Sequence, residues 1–84
     1  MLKEETWSVS IDRARSFFRS QPDVTEESPN VFVFASARTE LTELKPKGIG
    51  VWAAKRIRVK MEGGDGDVEN IYPRFFMQFL STGG

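Results

Sequence analysis

Cysteine and histidine are both absent from this sequence of 84 residues. A chain without cysteine forms no disulfide, carries no thiolate nucleophile and offers no zinc site of the cysteine type. A chain without histidine lacks the imidazole that serves as general base and metal ligand near neutral pH. We therefore expect no catalytic residues, no metal site and no cofactor, and we predict that the protein is not an enzyme.

Long hydrophobic runs and an excess of one charge are also lacking. The longest apolar run falls far short of the ~20 residues that cross a membrane. Residues 1–5 are mostly charged and lack the apolar core of a signal peptide. From these observations we expect a cytoplasmic protein without membrane contact. The length predicts a single domain over residues 1–84.

The first periodic segment indicates an N-terminal helix. One helical stripe is formed by residues spaced at i, i+4, i+7 and i+11, namely Trp7, Ile11, Ala14 and Phe18. Thr6 or Ser10 can cap this helix, and Pro22 ends it because proline clashes within a continuing helix. The polar and acidic residues 22–29 are interpreted as a loop.

Two later segments favour strands. Residues 31–34 are β-branched or aromatic throughout, whereas residues 35–44 are compatible with a longer strand, a second strand or a helix. Residues 45–48 have the composition of a turn. From residue 49 to 61 the sequence alternates, with one apolar face formed by Ile49, Val51, Ala53, Ile57, Val59 and Met61. Lys55 is the exception on that face, which suggests either a bulge or a buried lysine with a lowered pKa.

The C-terminal segment favours a second helix. Residues 63–67 are interpreted as a loop, and the apolar period over 71–80 predicts a helix that buries Ile71, Phe75 and Phe79. Proline is tolerated in a first helical turn, so Pro73 places the cap near Asn70. We therefore predict an α+β fold, in which a small antiparallel sheet of two or three strands is flanked by an N-terminal and a C-terminal helix.

Residues 45–60 contain six basic side chains and no acidic one: Lys45, Lys47, Lys55, Arg56, Arg58 and Lys60. Alternation places Trp52, Arg56, Arg58 and Lys60 on one strand face, opposite the apolar residues. We use the name cationic strip for the candidate partner-binding residues Lys45, Lys47, Trp52, Arg56, Arg58 and Lys60. The alternative is an ordinary solvated face whose cations pair with Glu40, Glu43 or the acidic loop.

The strip predicts a small non-catalytic binding module that docks a macromolecular partner, as an inhibitor, adaptor or assembly subunit does. Arginine and aromatic residues commonly anchor protein interfaces. A protein with an acidic surface is the favoured partner, because the formal net charge is +0 and nucleic-acid binders usually have a basic surplus. The alternative is a nucleic-acid-binding protein that uses the same basic segment to contact phosphates.

Three short motifs suggest other functions. Residues 48–57 resemble the hairpin and second helix of helix-hairpin-helix DNA-binding motifs, which would require a helix where alternation predicts a strand. The terminal Gly83-Gly84 resembles the tail of ubiquitin-like sulfur carriers, whose fold begins with a β-hairpin. Asp65, Asp67 and Glu69 alternate as calcium ligands do, but their spacing does not fit an EF-hand.

Overall fold

The computed structural model describes residues 1–47 and 54–80. In chain order the elements are β1 (Leu2–Trp7), α1 (Ile11–Arg19), β2 (Thr25–Ser28), β3 (Val31–Phe34), β4 (Ala37–Lys47), β5 (Ala54–Glu62) and α2 (Asp65–Leu80). The predicted α+β class with two helices is confirmed, as is the strand over residues 31–34.

The sheet has five antiparallel strands in the order β1-β5-β4-β3-β2. The prediction of two or three strands is therefore wrong. The segment expected to be a loop contains β2, whose four polar residues are all exposed and pair with β3 through the backbone. The turn expected at 45–48 is instead largely strand, because β4 continues to Lys47 through an irregular register near Pro46, a position that proline tolerates at a bulge.

α1 begins at Ile11, and Ser10 is its N-cap, with the Ser10 hydroxyl accepting a hydrogen bond from the Arg13 amide at 3.2 Å. Ile11, Ala14 and Phe18 are buried as predicted. Trp7 is wrongly placed in this helix by its spacing, because it is the last residue of β1 and pairs with Ile57. The chain therefore begins with a strand.

α2 buries Ile71, Phe75 and Phe79, which confirms the predicted helix and its apolar stripe. The helix nevertheless begins at Asp65, so that the predicted loop at 63–67 and cap near Asn70 are wrong. Pro73 lies inside the helix and is exposed. Two of the alternating carboxylates, Asp65 and Asp67, lie in the first turn, where negative charge interacts favourably with the helix dipole.

One hydrophobic core joins the sheet to both helices. Its largest side chains are aromatic and come from the sheet and from both helices: Phe17 and Phe18 of α1, Phe32 of β3, and Phe75 and Phe79 of α2. The strands contribute alternate residues, among them Leu41, Val59 and Met61. Because both helices pack on these residues, they cover the same face of the sheet.

Candidate binding surface

The opposite face of the sheet, called the open face below, is not covered by any element in the described part of the chain. β5 directs Ile57, Val59 and Met61 into the core, and its even-numbered residues alternate with them. Arg56, Arg58 and Lys60 therefore lie together on the open face, where the sequence pattern predicts them. Arg58 is exposed, whereas Arg56 and Lys60 are half-buried.

At one end of the open face the basic residues have acidic neighbours. Lys60 lies between Glu4 of β1 and Glu40 of β4 in the strand register. Arg38 of β4 forms ion pairs with Glu27 at 3.3 Å and with Glu40 at 4.0 Å. This end therefore carries bases and acids in close alternation, and Lys60 contributes little net positive charge to it.

At the other end the basic residues lack acidic neighbours in the register. Arg58 lies between Thr6 and Thr42, and Arg56 lies opposite Leu44. None of the ion pairs in residues 1–47 and 54–80 includes Arg56 or Arg58. The positive charge of the strip is therefore concentrated toward the β4–β5 connection.

This end of the sheet narrows to two strands. β3 pairs with β4 only as far as Glu40, and β1 pairs with β5 only as far as Ile57. We use the name arm for the two-stranded remainder, residues 44–47 and 54–56. Four of these seven residues are basic and none is acidic. The arm is thus a narrow, positively charged projection of the sheet.

The basic residues of the arm do not share one face. Lys45 and Lys55 are exposed, and together with Arg56 they line an open cavity of about 410 Å³ at the base of the arm. Lys55 has the alternation of a core residue, but it lies beyond the part of the sheet that the helices cover. Of the two interpretations of Lys55, the buried lysine is therefore wrong, whereas the bulge agrees with the register shift between Leu44 and Lys47.

The two remaining residues of the strip are Lys47 and Trp52. Lys47 pairs through its backbone with Ala54, but its side chain and the whole of Trp52 lie outside the described residues. The helix implied by the resemblance to helix-hairpin-helix motifs is not formed at residues 54–57, which belong to β5. The terminal Gly83-Gly84 also lies outside the described residues.

Three residues outside the cationic strip also border the arm cavity: Ile11, Glu43 and Leu44. The sequence pattern assigns Ile11 and Leu44 no place in the site and Glu43 only a role as a possible ion-pair partner. Ile11 is far away in the sequence and approaches the arm only because β1 and α1 fold back on the sheet. Glu43 follows from the continuation of β4 beyond residue 40. Glu43 is the last acidic residue before the basic segment. The sequence pattern of residues 35–44 does not decide between strand and helix, so it does not show on which side Glu43 lies.

A polar cluster on the helix-covered side joins β1 to α2. The Tyr72 hydroxyl donates a hydrogen bond to Glu5 Oε1 at 2.7 Å, and Trp7 Nε1 donates to the same oxygen at 3.1 Å. Two effects raise the pKa of Tyr72 to about 12: burial is the larger, and the hydrogen bond to Glu5 is the second. The phenol therefore stays protonated and serves to hold α2 on the edge strand.

A second open cavity, of about 370 Å³, lies between α1 and α2. Asp12, Arg13, Ser16 and Gln78 border it, so that one acid and one base face the same space. Asp12 is already paired with Arg15 at 3.0 Å. The cavity between the helices thus lacks the concentration of like charge found at the arm, and we regard the arm as the stronger candidate.

No protein-family model and no curated protein matches this chain. Within the described residues, neither helix is long and apolar enough to cross a membrane, and no group of three acidic side chains is arranged to hold a metal ion. Charge and shape of the surface are therefore the basis on which a function is proposed.

Proposed function

We propose that this protein is a small non-catalytic binding module that docks an acidic surface of a protein partner through the cationic strip. An inhibitor, an adaptor and an assembly subunit all act in this way. The observation that supports the proposal is the concentration of positive charge on the arm and on Arg58 at its base, where no ion pair is formed among the described side chains. Arginine is favoured as an anchor because its planar guanidinium binds carboxylates in a bidentate manner.

The second candidate is a nucleic-acid-binding protein that uses the same basic segment. In its favour, the major groove of a DNA duplex admits a two-stranded β-ribbon, and the arm is a ribbon with four basic residues. Against it, tight DNA binding commonly neutralises about 6–10 phosphates. Beyond the arm a duplex would meet Glu4, Glu40 and Glu62 on the open face. A short acidic segment of a protein fits the small basic area better.

Charge reversal at the arm tests the proposal. The double variant Lys45→Glu/Arg58→Glu changes two exposed side chains and should leave the fold intact. Arg13→Glu is the control, because Arg13 is exposed and borders the cavity between the helices and not the arm cavity. Wild type, variant and control are immobilised and used to capture partners from the source extract, with and without nuclease treatment.

We expect wild type and Arg13→Glu to capture the same protein, the double variant to lose it, and nuclease to have no effect. Weakening of the capture by salt is expected as well, because exposed charges are screened. Capture that disappears after nuclease treatment would favour the nucleic-acid function. Capture that survives the double substitution, with an unchanged melting temperature, would refute the role of the strip.

A further inference from the structure

The cavity at the base of the arm has the lining of an anion site. Lys45, Lys55 and Arg56 surround it, together with Glu43 and the apolar side chains of Ile11 and Leu44. Its volume of about 410 Å³ is within the range of ligand sites in proteins. Ile11 is also the first residue of α1, so the positive end of that helix borders the same space.

The cations of this cavity are not satisfied within the described residues. Neither Lys45 nor Lys55 takes part in an ion pair there. The Arg56 guanidinium donates one hydrogen bond, from Nη2 to the Lys45 carbonyl at 3.2 Å, while its buried Nε has no acceptor. A buried donor without a partner is unfavourable, so the guanidinium of Arg56 is not fully satisfied by its one hydrogen bond.

We propose that the arm cavity receives one carboxylate side chain of the protein partner, so that Lys45, Lys55 and Arg56 form the anchor of the interface. This inference rests on the proposed function, which it makes more specific. The lining has three cations against the single acid Glu43, so it attracts an anion, and a carboxylate is the anion that an acidic protein surface presents. Ile11 and Leu44 offer apolar contact for the methylene groups of a glutamate.

The probe for this site is a fluorescent hexaglutamate peptide, whose binding is followed by anisotropy, with hexaglutamine as the uncharged reference. Lys55→Gln removes one cation from the cavity, and Lys55→Arg keeps it. Arg13→Gln is the control, because Arg13 is an exposed cation that borders the cavity between the helices and not the arm cavity. Circular dichroism verifies that each variant is folded, as expected for an exposed residue such as Lys55.

We expect Lys55→Gln to raise the Kd for hexaglutamate by about 3-fold to 10-fold, because it removes a charge-assisted hydrogen bond. Lys55→Arg should retain the affinity, and Arg13→Gln should change it by less than about 2-fold.

Equal losses for Lys55→Gln and Arg13→Gln would show diffuse attraction and overturn the anchor. No measurable binding of the hexaglutamate peptide by the wild type would overturn it too. These results differ from a failure of the proposed function, which is measured by partner capture with the Lys45→Glu/Arg58→Glu variant. If partner capture depends on the strip but Lys55→Gln does not change the Kd for hexaglutamate, the proposed function stands and the cavity anchor is refuted.

Discussion

Phe75 lies at the centre of the aromatic core and offers the sharpest test of the packing of α2. Its side chain is 0% exposed. Four other rings surround it: Trp7 at 5.3 Å and Phe17 at 5.6 Å in edge contacts, Phe18 at 5.7 Å in a stacked contact, and Phe79 at 4.8 Å. Substitution of Phe75 therefore removes contacts with β1, with α1 and within α2 at once.

The magnitude of Phe75→Ala follows from burial and from the space that is left. Loss of the buried ring forfeits a transfer free energy of about 2 kcal/mol. A residual cavity on the order of 100 Å³ adds about 2.4 kcal/mol at ~24 cal/mol per Å³. The sum of about 4 kcal/mol compares with a total stability of roughly 4–13 kcal/mol for a chain of this length. We therefore expect Phe75→Ala to lose between about a third and all of the free energy of unfolding.

The assay is urea unfolding followed by circular dichroism at 222 nm. Phe75→Leu keeps most of the volume and should lose only about 1–1.5 kcal/mol of the free energy of unfolding. Met77→Ala is the matched control on the same helix, because Met77 is 67% exposed, and its effect should stay within about 0.5 kcal/mol. The order of stability should therefore be wild type, Met77→Ala, Phe75→Leu and Phe75→Ala.

A loss of less than about 1.5 kcal/mol for Phe75→Ala, with the slope of the denaturation curve unchanged, would refute the buried position of this ring. An equal effect of Phe75→Ala and Met77→Ala would refute it as well, because the two sides of α2 would then be equivalent.

Three further predictions concern the turns and the start of α2. Ala35 has a φ of 51°, so Ala35→Gly should raise the free energy of unfolding by about 1 kcal/mol in the same urea assay. A Cβ on Gly63 would clash with the Ser36 carbonyl oxygen, so Gly63→Ala should lower the melting temperature by several degrees. Hydrogen bonds from Ser36 hold the pKa of Asp67 below its ordinary value of 3.8. The stabilisation from Asp67 is therefore present above pH 3.8 and is lost as the pH falls through the lowered pKa. Asp67→Asn should abolish this contribution of residue 67, as measured by melting curves from pH 2 to 6.

The parts of the fold that sequence periodicity predicts are those with an apolar stripe. Ile11, Ala14 and Phe18 mark α1, and Phe75 and Phe79 mark α2, because one side of each helix meets only the core. Hydrophobic residues at a period of two mark β5 for the same reason. In these elements the local pattern and the tertiary contacts require the same residue types.

The two edge strands lack such a pattern. β2 has four polar, exposed residues, and it exists because its backbone pairs with β3. β1 has Lys3 and Glu5 on its helix-covered side, where the Lys3 ammonium lies 4.5 Å from the Tyr72 ring centroid and Glu5 accepts the Tyr72 hydrogen bond. Those partners lie more than 60 residues away, so no local pattern shows that charged residues there are acceptable.

For the site, the alternation of β5 predicts that Arg56, Arg58 and Lys60 share a face, and the structure places them so. The sequence does not show that Lys60 is flanked by Glu4 and Glu40, since this depends on the register of three strands. It also does not show that Lys45 and Lys55 line one cavity with Ile11. Strand register and the packing of α1 determine these features.

The position of β1 beside β5 has a consequence for the order in which the protein folds. Leu2 pairs with Glu62, so β1 stays without its neighbour until the chain has been synthesised through residue 62. α1 and the β2–β3 hairpin involve only nearby residues and can form earlier. Long loops must close before β1 is paired, which slows folding. During this interval the backbone of β1 is an unpaired edge, and the charged side chains of Lys3, Glu4 and Glu5 protect it from pairing with another nascent chain.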